Sequence, residues 1–174
     1  MKQKDNVSPA RRIAVPGMLA CIALILSYVE ALIPFNFGIP GVKLGLANLA
    51  VVVALYLLPV GEALLVDAVK ILVTGLLFGT GASLLYSLCG GLLSFAAMAL
   101  SRRSKRFGCA GVSVLGGVFH NVGQLAAAAF VMGTAKIAYY GPVLLAAGVG
   151  AGLLIGLVAG RLIPLLRKAG AGRR

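Results

Sequence analysis

The chain has 174 residues, 60% of them hydrophobic and 11% charged, with no tryptophan and a formal net charge of +12. This balance excludes an ordinary soluble domain and reads as a membrane protein. The basic residues cluster between apolar runs and form no basic and aromatic face, so they set orientation and meet anionic lipid rather than nucleic acid.

Residues 1–12 are polar and basic, and form a cytoplasmic N-terminus ahead of a transmembrane domain over residues 13–164. Ile13 to Ile33 is about 20 residues, enough to cross a hydrocarbon core of roughly 30 Å. Met18-Leu19-Ala20-Cys21 has a trace of a lipoprotein cleavage site, but the apolar run continues past it, so the span stays uncleaved. Glu30 interrupts this run, and the chain turns through Phe35-Asn36-Phe37-Gly38-Ile39-Pro40-Gly41 before apolar sequence resumes at Lys43. Further spans are predicted at Leu44–Leu58, Gly61–Phe78, Ala82–Leu100, Gly108–Met132 and Gly141–Pro164, followed by a basic cytoplasmic tail at residues 165–174. The expectation is an all-α integral membrane protein of six transmembrane helices. Cys21, Cys89 and Cys109 have no C-x-x-C spacing and read as buried free thiols.

Six spans place Lys2, Lys4, Arg11, Arg12, Arg102, Arg103, Lys105, Arg106, Arg161, Arg167, Lys168, Arg173 and Arg174 on one side. The other side holds Lys43 and Lys136. That asymmetry satisfies the positive-inside rule with both termini cytoplasmic, in the inner membrane of a bacterial cell.

Polar residues inside such a chain must be paired, wetted or bound to something. Glu30, Lys43, Asn48, Tyr86, Ser87, His120, Asn121 and Gln124 all fall in the outer half of their spans, and Asn36 lies in the turn between the first two. Their convergence suits a small-molecule pocket opening outward. The plainer alternatives are a Glu30–Lys43 interfacial pair and interhelical hydrogen bonds from His120 and Asn121. Asp67 and Lys70 stand three apart in the inner half of the third span, the spacing of an intramembrane ion pair; a proton or ion relay is the sharper alternative. Gly148, Gly152, Gly156 and Gly160 form a stripe for close helix packing, within the subunit or between subunits.

No Walker A sequence, no metal-ligand spacing and no catalytic triad is present, so no cofactor, metal or catalytic residue is expected. The only acids are Asp5, Glu30, Glu62 and Asp67, so the paired Asp-rich motifs of a polyprenyl diphosphate synthase are missing.

Three segments, LSYVEALIPFNFGIPGVKLGLANLAV, LLFGTGASLLYSLCGGLLS and SVLGGVFHNVGQL, carry a resemblance. Together they resemble the membrane family labelled heptaprenyl diphosphate synthase component I, also called the Gx transporter family. That family is similar to the S components of energy-coupling-factor transporters. The resemblance implies an S-component-like bundle and puts Glu30, Asn36, Lys43, Asn48, Tyr86, His120, Asn121 and Gln124 in motif positions. It also implies a transmembrane coupling protein with ATPase subunits as partners. S components present Ala-x-x-x-Ala on the first helix; here Ala10/Ala14 and Gly17/Cys21 are the small pairs at that spacing. The expected function is a substrate-binding subunit of an uptake transporter. The alternative is a non-catalytic membrane partner of a prenyl synthase subunit in polyprenyl diphosphate or quinone synthesis.

Overall fold

The computed structural model describes residues 9–32 and 45–172. Every regular element among them is helical: α1 (Pro9–Leu32), α2 (Leu46–Leu57), α3 (Val60–Phe78), α4 (Gly81–Arg103), α5 (Cys109–Met132) and α6 (Gly141–Lys168), with a 3-10 turn at Ala135–Tyr140 before α6. Asn36, Lys43 and the Phe35–Gly41 turn lie outside the described residues.

Local chemistry sets the breaks. Gly45 starts α2 at φ 71°, a left-handed conformation that costs glycine nothing. Pro59 ends α2 by forcing Leu58 into extended geometry. Thr80 and Ser83 cap each other's backbone N–H groups at the head of α4. Gly133, at φ 62°, closes α5.

α3, α4, α5 and α6 pack in sequence as a curved wall. α2 closes the wall by touching both α3 and α6, and α1 lies against α2 and α3. The apolar core centres on α2, where Val51, Val52, Leu55 and Leu57 are almost fully buried and meet Phe95 and Met98 of α4 and Val112 of α5. A helix apolar on every side is one that neighbours surround. Around the outside the pattern inverts: Ile13, Leu76 and Phe130 are 78%, 75% and 86% exposed. A belt of such residues is tolerable where lipid covers it.

Four helices, α1, α4, α5 and α6, are long and apolar enough to cross a membrane. The other two keep their predicted bounds to within two residues but are not such spans. α2 has 12 residues and rises only about 18 Å. α3 has the length but carries Glu62, Asp67 and Lys70.

α5 and α6 pack through backbone. A Cβ on Gly152 would stand 2.7 Å from Ser113 O and Val114 Cα, and one on Gly148 would stand 2.8 Å from Gly117 O. Gly156 faces Ala110 in the same way, whereas Gly160 meets only Cys109, at 3.9 Å. Three of the four stripe glycines are therefore in contact within the subunit. Cys21 is exposed, contrary to the buried thiol expected, and Cys89 and Cys109 are half-buried; all three are free.

Candidate functional site

The head of α2 gathers polar groups from three helices. Gly45 N–H donates to Glu30 Oε1 of α1 at 2.6 Å. A carboxylate here meets the positive end of the α2 dipole and one of its orphan N–H groups. One turn on, Asn48 Oδ1 accepts from Lys70 Nζ of α3 at 2.9 Å. Lys70 also pairs with Asp67 at 2.7 Å, and both side chains are under 10% exposed. The result is a continuous chain, Glu30 to Gly45, Asn48, Lys70 and Asp67.

This chain joins groups that the sequence places apart. Asn48 was expected near the outer surface and Asp67–Lys70 in the inner half. Counted from the Leu58-Pro59 turn, Asn48 and Lys70 are each roughly 15 Å up their own helix, so antiparallel packing brings them level. Because α2 is short, its first residue lies inside the bundle. A Cβ on Gly45 would touch Ile155, the midpoint of α6, at 3.5 Å. The head of α2 is thus at mid-depth, and the buried cation is part of it.

The polar residues of α5 divide between two faces. His120 and Gln124 face α4, where a Cβ on Gly90 would stand 2.8 Å from Gln124 Cγ and 3.3 Å from His120 Cε1. Tyr86, half-buried, sits one turn from Gly90 on the same face. Asn121 points to α6 and donates from Nδ2 to Leu144 O at 2.5 Å. A carbonyl inside a helix gains a second partner there, which is the interhelical hydrogen-bond role. The described groups therefore form three clusters: Glu30, Asn48, Asp67 and Lys70 at the head of α2; Tyr86, His120 and Gln124 between α4 and α5; and Asn121 against α6.

The opposite end of α2 holds residues that sequence reasoning missed. Arg102 at the end of α4 donates through Nη1 to Leu55 O, and its guanidinium carbon lies 4.7 Å from the centre of the Tyr56 ring. Arg167 near the end of α6 donates to Tyr56 O at 3.3 Å. Two cations thus meet the carbonyl end of α2, where its dipole is negative. A Cβ on Gly170 would touch Arg11 of α1, so the start of α1 reaches the same end. We call this end the foot of the bundle. In the sequence both arginines look like ordinary positive-inside residues; the one available signal was that Pro59 leaves α2 without a C-terminal cap of its own.

On the outer face of α4 and α5 runs a shallow apolar groove. Cys89, Leu92, Leu93 and Ala96 line it from α4, and Gly123, Ala126 and Ala127 from α5. None of the polar candidates lines it.

Among the described residues no three His, Cys, Asp or Glu side chains stand close enough to hold a metal ion. Comparison with known families supplies what the geometry does not. The profile described as "Heptaprenyl diphosphate synthase component I" matches residues 19–162, most of the chain. The chain belongs to the heptaprenyl diphosphate synthase component I family. No curated protein and no solved structure matches it. As a component I chain it is a non-catalytic partner in a prenyl synthase complex rather than the enzyme. The primary expectation, a transport subunit with a coupling protein and ATPases, gains no support from the family; the alternative fits it better.

Proposed function

We propose that this component I chain is a six-helix protein of the bacterial inner membrane, both termini cytoplasmic, that holds a prenyl diphosphate synthase subunit at the membrane. The family match over residues 19–162 carries the reading. Chemistry supports it. A polyprenyl diphosphate has a tail that belongs in lipid and a head that belongs in water, so its synthesis gains from a partner at the boundary. The polar groups support it too. Glu30, Asn48, Asp67, Lys70 and Asn121 are each engaged by another group of the chain, which leaves less for a soluble substrate. The basic residues at the foot face the compartment in which a soluble subunit works.

The test is gentle extraction of the tagged chain followed by native mass spectrometry and a prenyl transfer assay on whatever co-purifies. A synthase subunit with chain-elongating activity is expected. A purified chain without that subunit, carrying instead a vitamin-like molecule, overturns the proposal in favour of uptake transport.

One observation favours a second reading. The head of α2 lies at mid-depth beside Glu30 and Lys70, and helix ends at mid-membrane serve transporters in this way. A small anionic ligand there would engage Lys70 and Asn48, and Tyr86, His120 and Gln124 would form its far wall. Substitution of His120 would then abolish binding of the co-purifying molecule while the chain stayed folded.

A further inference from the structure

The groove on α4 and α5 has a direction. Cys89, Leu92, Leu93, Ala96, Leu100 and Arg103 fall at i, i+3, i+4, i+7, i+11 and i+14, one continuous face of α4. The groove ends at Ala96, and the same face of α4 continues past the exposed Leu100 to a cation, Arg103, roughly 10 Å further along the axis. Beyond it the connection to α5 adds Lys105 and Arg106, both exposed. Residues 101–108, SRRSKRFG, contain no acid. The two arginines drawn inward to cap α2 are Arg102 and Arg167; Arg103, Lys105 and Arg106 face outward instead.

We propose that this face binds one molecule of a polyprenyl diphosphate, tail in the α4–α5 groove and diphosphate on Arg103, Lys105 and Arg106. The proposal rests on the synthase-partner reading and names the ligand that the partner would receive. The division of labour follows from the solvent. A tail gains nothing from apolarity that lipid does not also offer, so the groove contributes through close packing around a single chain. The floor suits that task, because Ala96, Gly123, Ala126 and Ala127 are small and Leu92 and Leu93 form a wall. The head adds affinity of its own, through charge-assisted hydrogen bonds to guanidinium and ammonium groups. Three outward cations match a diphosphate, which carries more charge than the single phosphodiester of an anionic phospholipid. A trough between only two helices likewise suits one chain better than the paired chains of a phospholipid.

The experiment places the whole chain in nanodiscs of zwitterionic lipid and titrates a fluorescent polyprenyl diphosphate. Unlabelled polyprenyl diphosphate, the corresponding polyprenol, inorganic diphosphate and phosphatidylglycerol serve as competitors. Ala96 and Ala126 are exposed, so Ala96→Trp and Ala126→Trp fill the groove without entering the core. Each should weaken binding at least about tenfold, as should the triple change Arg103→Gln, Lys105→Gln, Arg106→Gln, which removes the charge-assisted contacts. Phosphatidylglycerol should compete far worse than the unlabelled diphosphate. Equal competition by phosphatidylglycerol overturns the proposal, because the face is then a general lipid surface. Unchanged binding in both Trp variants also overturns it. Co-purification of the synthase subunit is scored on the same samples. Loss of probe binding in the native chain with the subunit still present overturns the groove and leaves the partner reading standing. Probe binding without the subunit upholds the groove and overturns the partner reading.

Discussion

Lys70 and Asn48 meet at 2.9 Å across 22 positions of sequence, and their contact fixes how α2 and α3 pack. Level residues on two arms of a hairpin define its register, and here the register is set by a buried ammonium that also holds Asp67. An ammonium at that depth depends on its acceptors, on the Asp67 carboxylate above all.

The ion pair gives the first prediction. Removing Asp67 or Lys70 alone leaves a buried charge unpaired, at a cost on the order of 3 kcal/mol. Removing both, as Asp67→Leu with Lys70→Leu, should cost less than the worse single change. Thermal unfolding in detergent, arranged as a double-mutant cycle, checks this; a double variant as unstable as the sum of the two singles would show no coupling. Asn48→Ala should cost about 1 kcal/mol through the lost acceptor.

Arg102 and Arg167 should matter for stability in proportion to their contact with α2. Arg102 both donates to Leu55 O and stacks on Tyr56, so Arg102→Ala should cost about 2 kcal/mol. Arg167 makes one longer bond at a more exposed position, and Arg167→Ala should cost under about 1 kcal/mol. Arg103→Ala, with no such contact, serves as the control and should leave the melting temperature unchanged.

The glycine stripe on α6 should be graded along its length. A side chain at Gly152 must displace the backbone of α5, so Gly152→Leu should cost about 3 kcal/mol or prevent folding. Gly160→Ala meets only an ordinary contact with Cys109 and should be neutral or slightly stabilising, by up to about 1 kcal/mol, since alanine is the better helix former. A cost at Gly160 as large as at Gly152 would point to a second subunit on that face.

Topology is open to a direct check. In a cysteine-free background, Ile137→Cys should react with an impermeant thiol reagent from outside intact cells, and Ser104→Cys should react only after lysis. Labelling of position 104 in intact cells would overturn the arrangement with both termini cytoplasmic.

Length and hydropathy gave the helical class and all six helices to within a few residues of their ends, because those signals are local. The same signals were silent on the depth of α2. Leu44–Leu58 is apolar apart from Asn48, and nothing in it shows that the helix starts at Gly45 inside the bundle. Depth counted from the ends of such a run carries an error of several ångströms, enough to separate Asn48 from Lys70 on paper. Asp67 and Lys70 could be matched because they share one helix. Asn121 and Leu144, or Arg167 and Tyr56, could not, because their meeting depends on which helices become neighbours. The division of His120 from Asn121 was equally hidden: adjacent residues on a helix point about 100° apart, but only the packing says which neighbour each one finds.

The shortness of α2 bears on how the protein is made. A segment of 12 residues falls well under the roughly 20 that let a helix enter the bilayer unaided. α3 carries Asp67 and Lys70, and a charge at a helix centre opposes insertion by about 3 kcal/mol. Neither is a good passenger for the insertion machinery, so the two must enter together, with Lys70 already on Asn48. Even then the lower end of α2 waits for its caps. Arg102 leaves the ribosome with α4, and Arg167 follows Tyr56 by 111 positions, in the last turns of α6. Assembly therefore finishes at the centre, and a chain interrupted before its final helix would leave the Tyr56 carbonyl without its guanidinium and α2 without the helix that closes around it.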